Sequence, residues 1–183
     1  MKTEFLLSLC TAILLIPNVL GADDVQKPKV MSAEEAFDFF TTIDGTWNAT
    51  TVTVPAGTSK DKGETKQSKI SYETLANGTA VMATYFKGSP MQMIDMIHQD
   101  GSEMVRLTHY CAVGNQPRMK FVKSDKPGVI QFAFDGGSNM DVDGHVHDSS
   151  VRILDSDHFE VESRLWSDGQ HAMTTYFAIS RSQ

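Results

Sequence analysis

Cysteine is almost absent from this sequence. The 183-residue chain has two, Cys10 and Cys111, and Cys10 lies in an N-terminal apolar run, residues 5–16. If that run is removed on export, Cys111 is alone and no internal disulfide can form. Cys111 is then read as a buried, inert residue, with metal binding or reactivity as the alternatives. Excess positive charge is lacking too. Sixteen Lys and Arg against 23 Asp and Glu give a formal net charge of −7, which argues against nucleic acid and anionic lipid as partners. Beyond the N-terminus no run reaches the ~18 apolar residues of a spanning helix. Gly-x-Ser-x-Gly, the phosphate loop and His-Glu-x-x-His are all missing. That removes the hydrolases, nucleotide enzymes and zinc proteases defined by those motifs. The balance favours a binding protein over an enzyme.

The N-terminus predicts export. Lys2, the apolar run and the small residues of Val19-Leu20-Gly21-Ala22 form a secretory signal over residues 1–22, so the expected location is periplasmic or extracellular. Lys2 and Glu4 leave together, and the net charge is unchanged. Residues 23–31 read as a polar leader and 32–183 as a single domain, long enough to bury a core. Ser32 followed by Glu35 is a capping box. Ala36, Phe37, Phe40 and Ile43 recur at helical spacing, which predicts a short helix over 33–42 ended by Asp44-Gly45.

After Gly45 the period changes from helical to alternating. Ten strands are predicted, over 46–54, 66–75, 79–86, 91–98, 104–111, 120–122, 129–134, 145–154, 159–166 and 171–180. Asn77-Gly78, Asp100-Gly101 and Asp168-Gly169 supply tight turns. One irregular insert, 135–144, interrupts the pattern. Its Asn139-x-Asp141-x-Asp143-Gly144 mimics half a calcium loop, but Ser150 stands where the bidentate acid belongs. Short strands joined by tight turns predict an all-β fold. The first choice is an antiparallel up-and-down barrel of about ten strands with a short N-terminal helix; the alternative is a two-sheet β-sandwich.

Gly45-Thr46-Trp47 opens the first strand after a short helix, and Arg181 follows the last strand. This resembles the Gly-x-Trp signature of the calycins, the lipocalin and fatty-acid-binding barrels. The resemblance implies that Trp47 plugs the closed end and that Arg181 packs across it. The role of Gly45, Trp47 and Arg181 would be structural.

The segment 108–119, Thr-His-Tyr-Cys-Ala-Val-Gly-Asn-Gln-Pro-Arg-Met, concentrates chemistry. By alternation Val105, Leu107, His109 and Cys111 share the inward face of their strand. The same test on 145–154 groups His145, His147, Ser149, Val151 and Ile153 inward. Two pairs, His109 with Cys111 and His145 with His147, are therefore expected to enter one cavity near one rim. Three or four such ligands suit zinc, and imidazole with thiolate suits copper; haem is a further possibility. The bland alternative is that these histidines are hydrogen-bonded groups at a cavity mouth. In the Gly114-Asn115-Gln116-Pro117-Arg118 loop, Asn115 offers hydrogen bonds and Arg118 could fork onto a carboxylate. His109, Cys111, Asn115, Arg118 and His147 are thus the candidate ligand-binding residues.

The run Leu107-Thr108-His109-Tyr110-Cys111 with Gly114-Asn115-Gln116-Pro117-Arg118-Met119 also resembles a segment of an exported bacterial family of unknown function. The likeness takes in Gly45-x-Trp47, Asp100-Gly101, the 145–147 region and Trp166-x-Asp168-Gly169. It implies a small calycin-like barrel and no particular activity. Three functions follow as expectations. The first is a barrel enclosing a small apolar or amphipathic molecule, lined by methionines such as Met82, Met91, Met93, Met96 and Met173. The second is a metal- or haem-dependent protein using His109, Cys111, His145 and His147. The third is an interaction protein with a filled interior.

Overall fold

The computed structural model of the chain describes residues 29–141 and 144–182. The predicted signal, most of the polar leader and Asp143 of the calcium-like turn lie outside them. Helix α1 spans Ala33–Thr42. Its first turn is closed from both sides, because the Glu35 amide donates to the Ser32 hydroxyl at 3.2 Å and the Ser32 amide to the Glu35 carboxylate at 3.0 Å.

Ten strands follow: β1 Gly45–Pro55, β2 Glu64–Leu75, β3 Ala80–Tyr85, β4 Met93–Gln99, β5 Val105–Tyr110, β6 Gln116–Val122, β7 Val129–Ser138, β8 His145–Ile153, β9 His158–Ser167 and β10 Gln170–Arg181. Each pairs antiparallel with the next, and β1 pairs with β10 from Trp47↔Arg181 to Pro55↔Met173. The sheet is a closed up-and-down barrel, not a two-sheet sandwich. Closure leaves no edge strand in the barrel wall.

Most strand boundaries lie within two residues of the sequence expectation, and two differ by four. Gln116, Pro117 and Arg118, expected in a loop, belong to β6, and β7 runs through Asp135 to Ser138 into the expected insert. Cross-strand pairing of Gln116↔Ser138 and Pro117↔Gly137 outweighs their turn-like composition.

The core fills one end. Gly45 opens β1 at φ +117°, a backbone region that glycine alone visits readily, and this turns the chain from α1 into the wall. Trp47 is then fully buried, its indole N–H donating to the Ile43 carbonyl at 2.8 Å. Phe159 meets Trp47 edge-to-face at 5.1 Å and Phe39 of α1 at 5.5 Å. Phe40 packs on Phe132. The Arg181 guanidinium stacks 4.4 Å from the Trp47 ring and its Nε donates to Asp157 at 2.6 Å. Helix, indole and aromatics together make a solid floor.

A buried imidazole–carboxylate pair at the open end

Beyond this floor, toward the other end of the barrel, lies a cavity of about 370 Å³. Its apolar wall includes Phe86, Met93, Met119, Leu165 and Phe177, and its lip carries Met91 and Val113, both more than half exposed. Of the methionines expected inside, Met91 and Met93 line it. Met82 and Met96 face each other across β3 and β4 on the opposite set of positions, and Met173 is exposed. Below the mouth, hydroxyls on neighbouring strands satisfy one another. Thr53 and Thr175 lie 3.0 Å apart, and Ser149 and Ser163 lie 3.3 Å apart.

His109 and Cys111 both line this cavity. Val105 and Leu107, below them on the same face, are buried in the core. Asp95 stands directly opposite His109 in the β4–β5 register. Its carboxylate meets His109 Nδ1 at 2.6 Å, and both side chains are almost completely enclosed. Burial alone would discharge the imidazole. The charge and hydrogen bond of Asp95 overcome that, with help from Cys111, and the His109 pKa is pushed up to about 10. The imidazole is therefore an imidazolium at neutral pH. The field of Asp95 also reaches two tyrosines. Burial first, and the Asp95 charge second, push the Tyr72 and Tyr85 hydroxyls far above the usual phenol range.

The other imidazole nitrogen, His109 Nε2, is buried and has no hydrogen-bond partner among the described residues. The Cys111 sulfur and this ring act on one another, yet no hydrogen bond of normal length and angle joins them. Cys111 is neither fully buried nor isolated, which corrects the expectation of an inert core thiol. Its pKa is held below the ordinary thiol range by His109 above all, and then by the backbone amides of Val113 and Ala112, against an opposing effect of burial. A tight turn fixes these amides: the Gly114 amide donates to the Cys111 carbonyl at 3.0 Å, and the Cys111 amide to the Asn115 carbonyl at 3.1 Å.

The remaining candidates lie elsewhere. Asn115 is completely buried and donates to the Gly144 carbonyl at 2.8 Å. It braces the Cys111 turn against the start of β8 and does not line the cavity. Arg118 is exposed, at the register shift between Pro117 and Met119, and points away from the interior. His145 and His147 depart from the expected alternation. A register shift between Val146 and Asp148 leaves His147 unpaired and turns Val146 inward, opposite Leu165. His147 instead stacks between Trp166 at 4.0 Å and Phe134 at 4.6 Å. His145 Nε2 lies 3.0 Å from His147 Nδ1. Burial first, then the neighbouring His145 charge, lower the His147 pKa. The two histidine pairs therefore do not converge. Among the described residues no three His, Cys, Asp or Glu side chains are grouped to hold a metal ion.

Asp95 and the two tyrosines were missed by sequence reasoning. One signal was present: Asp95 is the sole acid in 91–97. The apolar residues on both of its alternating faces, Met93 and Ile97 on one and Ile94 and Met96 on the other, concealed its direction.

No protein-family model matches this chain, and no curated protein matches its sequence. Solved structures do share its shape. Rv2717c from M. tuberculosis superposes with a TM-score of 0.57 at 12% identity, over 85% of this chain and 100% of that one. A protein of unknown function from the DUF3598 family of Nostoc punctiforme superposes with a TM-score of 0.55 at 11% identity, over 85% of this chain. The present chain spans about half of that protein's length, 51%. At these identities the likeness concerns the barrel fold alone.

Proposed function

We propose that this chain is an exported, calycin-like barrel that holds a small, mainly apolar molecule in the cavity above its floor. The carrying observation is the contrast between a solid aromatic floor and a space of about 370 Å³ with an exposed apolar lip, Met91 and Val113. That volume lies near the lower end of the ~300–1,000 Å³ typical of small-molecule sites, so the ligand is compact. The His109 imidazolium and the paired hydroxyls supply the few polar contacts that orient a ligand in such pockets. The stacking of Arg181 on Trp47 supports the calycin-like reading, and the apolar run at residues 5–16 supports export.

Titration of the folded protein with 1-anilinonaphthalene-8-sulfonate tests the ligand site. Saturable one-to-one binding is expected, displaced by hexanoic acid. Val146→Trp, which fills the cavity from its wall, should remove it while near-ultraviolet circular dichroism stays native. Undiminished binding in that variant would place the probe elsewhere and overturn the reading.

A further inference from the structure

We infer that Cys111, His109 and Asp95 form a thiol-dependent acyl-transfer centre, which takes an apolar acyl group from an ester or thioester onto Cys111. The inference rests on the ligand cavity proposed above and adds a reaction to it. Three independent features of geometry carry it. Asp95 faces His109 across adjacent strands and fixes the ring through Nδ1 at 2.6 Å. That leaves Nε2 as a buried nitrogen with no hydrogen-bond partner among the described residues. Cys111 lies two residues further along the same inward face, so its sulfur and the imidazole border one apolar space. Nucleophile, proton-bearing ring and orienting carboxylate are the functional parts of a cysteine acyl-transfer site, recognised by arrangement rather than by order in the chain.

The chemistry balances with no further reagent. The Cys111 thiolate attacks the acyl carbonyl carbon, and a sulfur–carbon bond forms. The bond from that carbon to the leaving oxygen or sulfur breaks. The leaving group takes the proton from His109 Nε2 and departs as an alcohol, phenol or thiol. The backbone amides of Val113 and Ala112 favour the thiolate form of Cys111. Water then cleaves the S-acyl group: its hydroxyl joins the acyl carbon, its proton returns to Nε2, and the thiolate is restored. Cys111 and His109 act directly on the substrate, and Asp95 is a positioning residue. The wall of Met93, Met119, Leu165 and Phe177 suits a short aliphatic acyl chain.

The full chain incubated with p-nitrophenyl hexanoate provides the test. Intact and peptide mass spectrometry should show a single hexanoyl group on Cys111, formed together with p-nitrophenolate. Cys111→Ala should abolish adduct and release, while near-ultraviolet circular dichroism stays native. His109→Asn should slow acylation about 100-fold, the scale of a lost proton-transfer group. Asp95→Asn should move the pH profile of Cys111 alkylation by iodoacetamide toward that of an ordinary thiol, a shift that a purely structural role would not produce. Wild-type protein that binds the fluorescent probe but neither acquires a hexanoyl group on Cys111 nor releases p-nitrophenolate faster than Cys111→Ala would overturn the acyl-transfer centre and leave the ligand cavity standing. Failure of wild type to bind the probe would overturn both.

Discussion

The two ends of the barrel use the same wall in opposite ways. At the floor, the buried Trp47 indole N–H is satisfied by the Ile43 carbonyl, and aromatic rings pack around the indole. At the mouth, an ion pair is buried beside a cavity and one imidazole nitrogen is left without a partner among the described residues. Burying that pair carries a desolvation cost that apolar side chains of similar volume would avoid. A core designed only for stability would not contain it. The comparison teaches that apolar packing is concentrated at the floor, while the mouth carries the buried charge.

Substitutions at the two ends should therefore separate folding from ligand chemistry. Trp47→Ala should cost about 3–5 kcal/mol, as for other large core truncations, measured by urea denaturation. Probe affinity should be unchanged wherever the variant remains folded. An equally large loss of probe affinity would erase the distinction between floor and mouth. Asp95→Asn should cost about 1–3 kcal/mol, because a buried charged partner is replaced by a weaker one, and it should also lower the His109 pKa seen by NMR.

A smaller, signed effect follows from pH. The His109 pKa is raised from 6.5 to about 10 in the folded chain, so the native state holds an extra proton between those values. The stability this contributes is complete below about pH 6.5 and is lost as pH rises through about 10. Comparing Cys111→Ala with the double variant Cys111→Ala/His109→Asn removes the thiol's own titration. The single variant should lose stability over that window relative to the double one; parallel curves would refute the charged pair. Ser32→Ala, which removes the cap of the helix on the floor, should cost about 1 kcal/mol in thermal unfolding. Arg118→Ala, on the outer face, should stay within about 0.5 kcal/mol with native probe binding.

The barrel was legible because its signals are local and repeated. Alternation gave the inward faces of β5 and the lower part of β8, and the Ser32–Glu35 box and Asn77-Gly78 marked helix start and turn. In the structure Ala76 and Asn77 both take positive φ, as a tight left-handed turn demands. The site was only half legible. His109 and Cys111 were visible through their spacing, but their partner Asp95 depends on register between β4 and β5, which no single strand encodes. The bulge in β8 was invisible for the same reason. An extra residue exists only relative to the neighbouring strand, and without that neighbour the alternation carried His145 and His147 to the wrong side. Gln116 to Arg118 read as a turn because their composition is turn-like, and pairing with β7 overrode it.

That bulge makes the upper wall convertible. The unmatched His147 works as a phase shifter: one extra residue in β9 between Arg164 and Leu165 would give it a neighbour and rotate everything above it by half a period. Val146 would then swing to the exterior, and two imidazoles would enter the space beside Cys111. A change of one codon's length could in this way rewrite the pocket's ligand preference, while the plugged end of the molecule would register nothing.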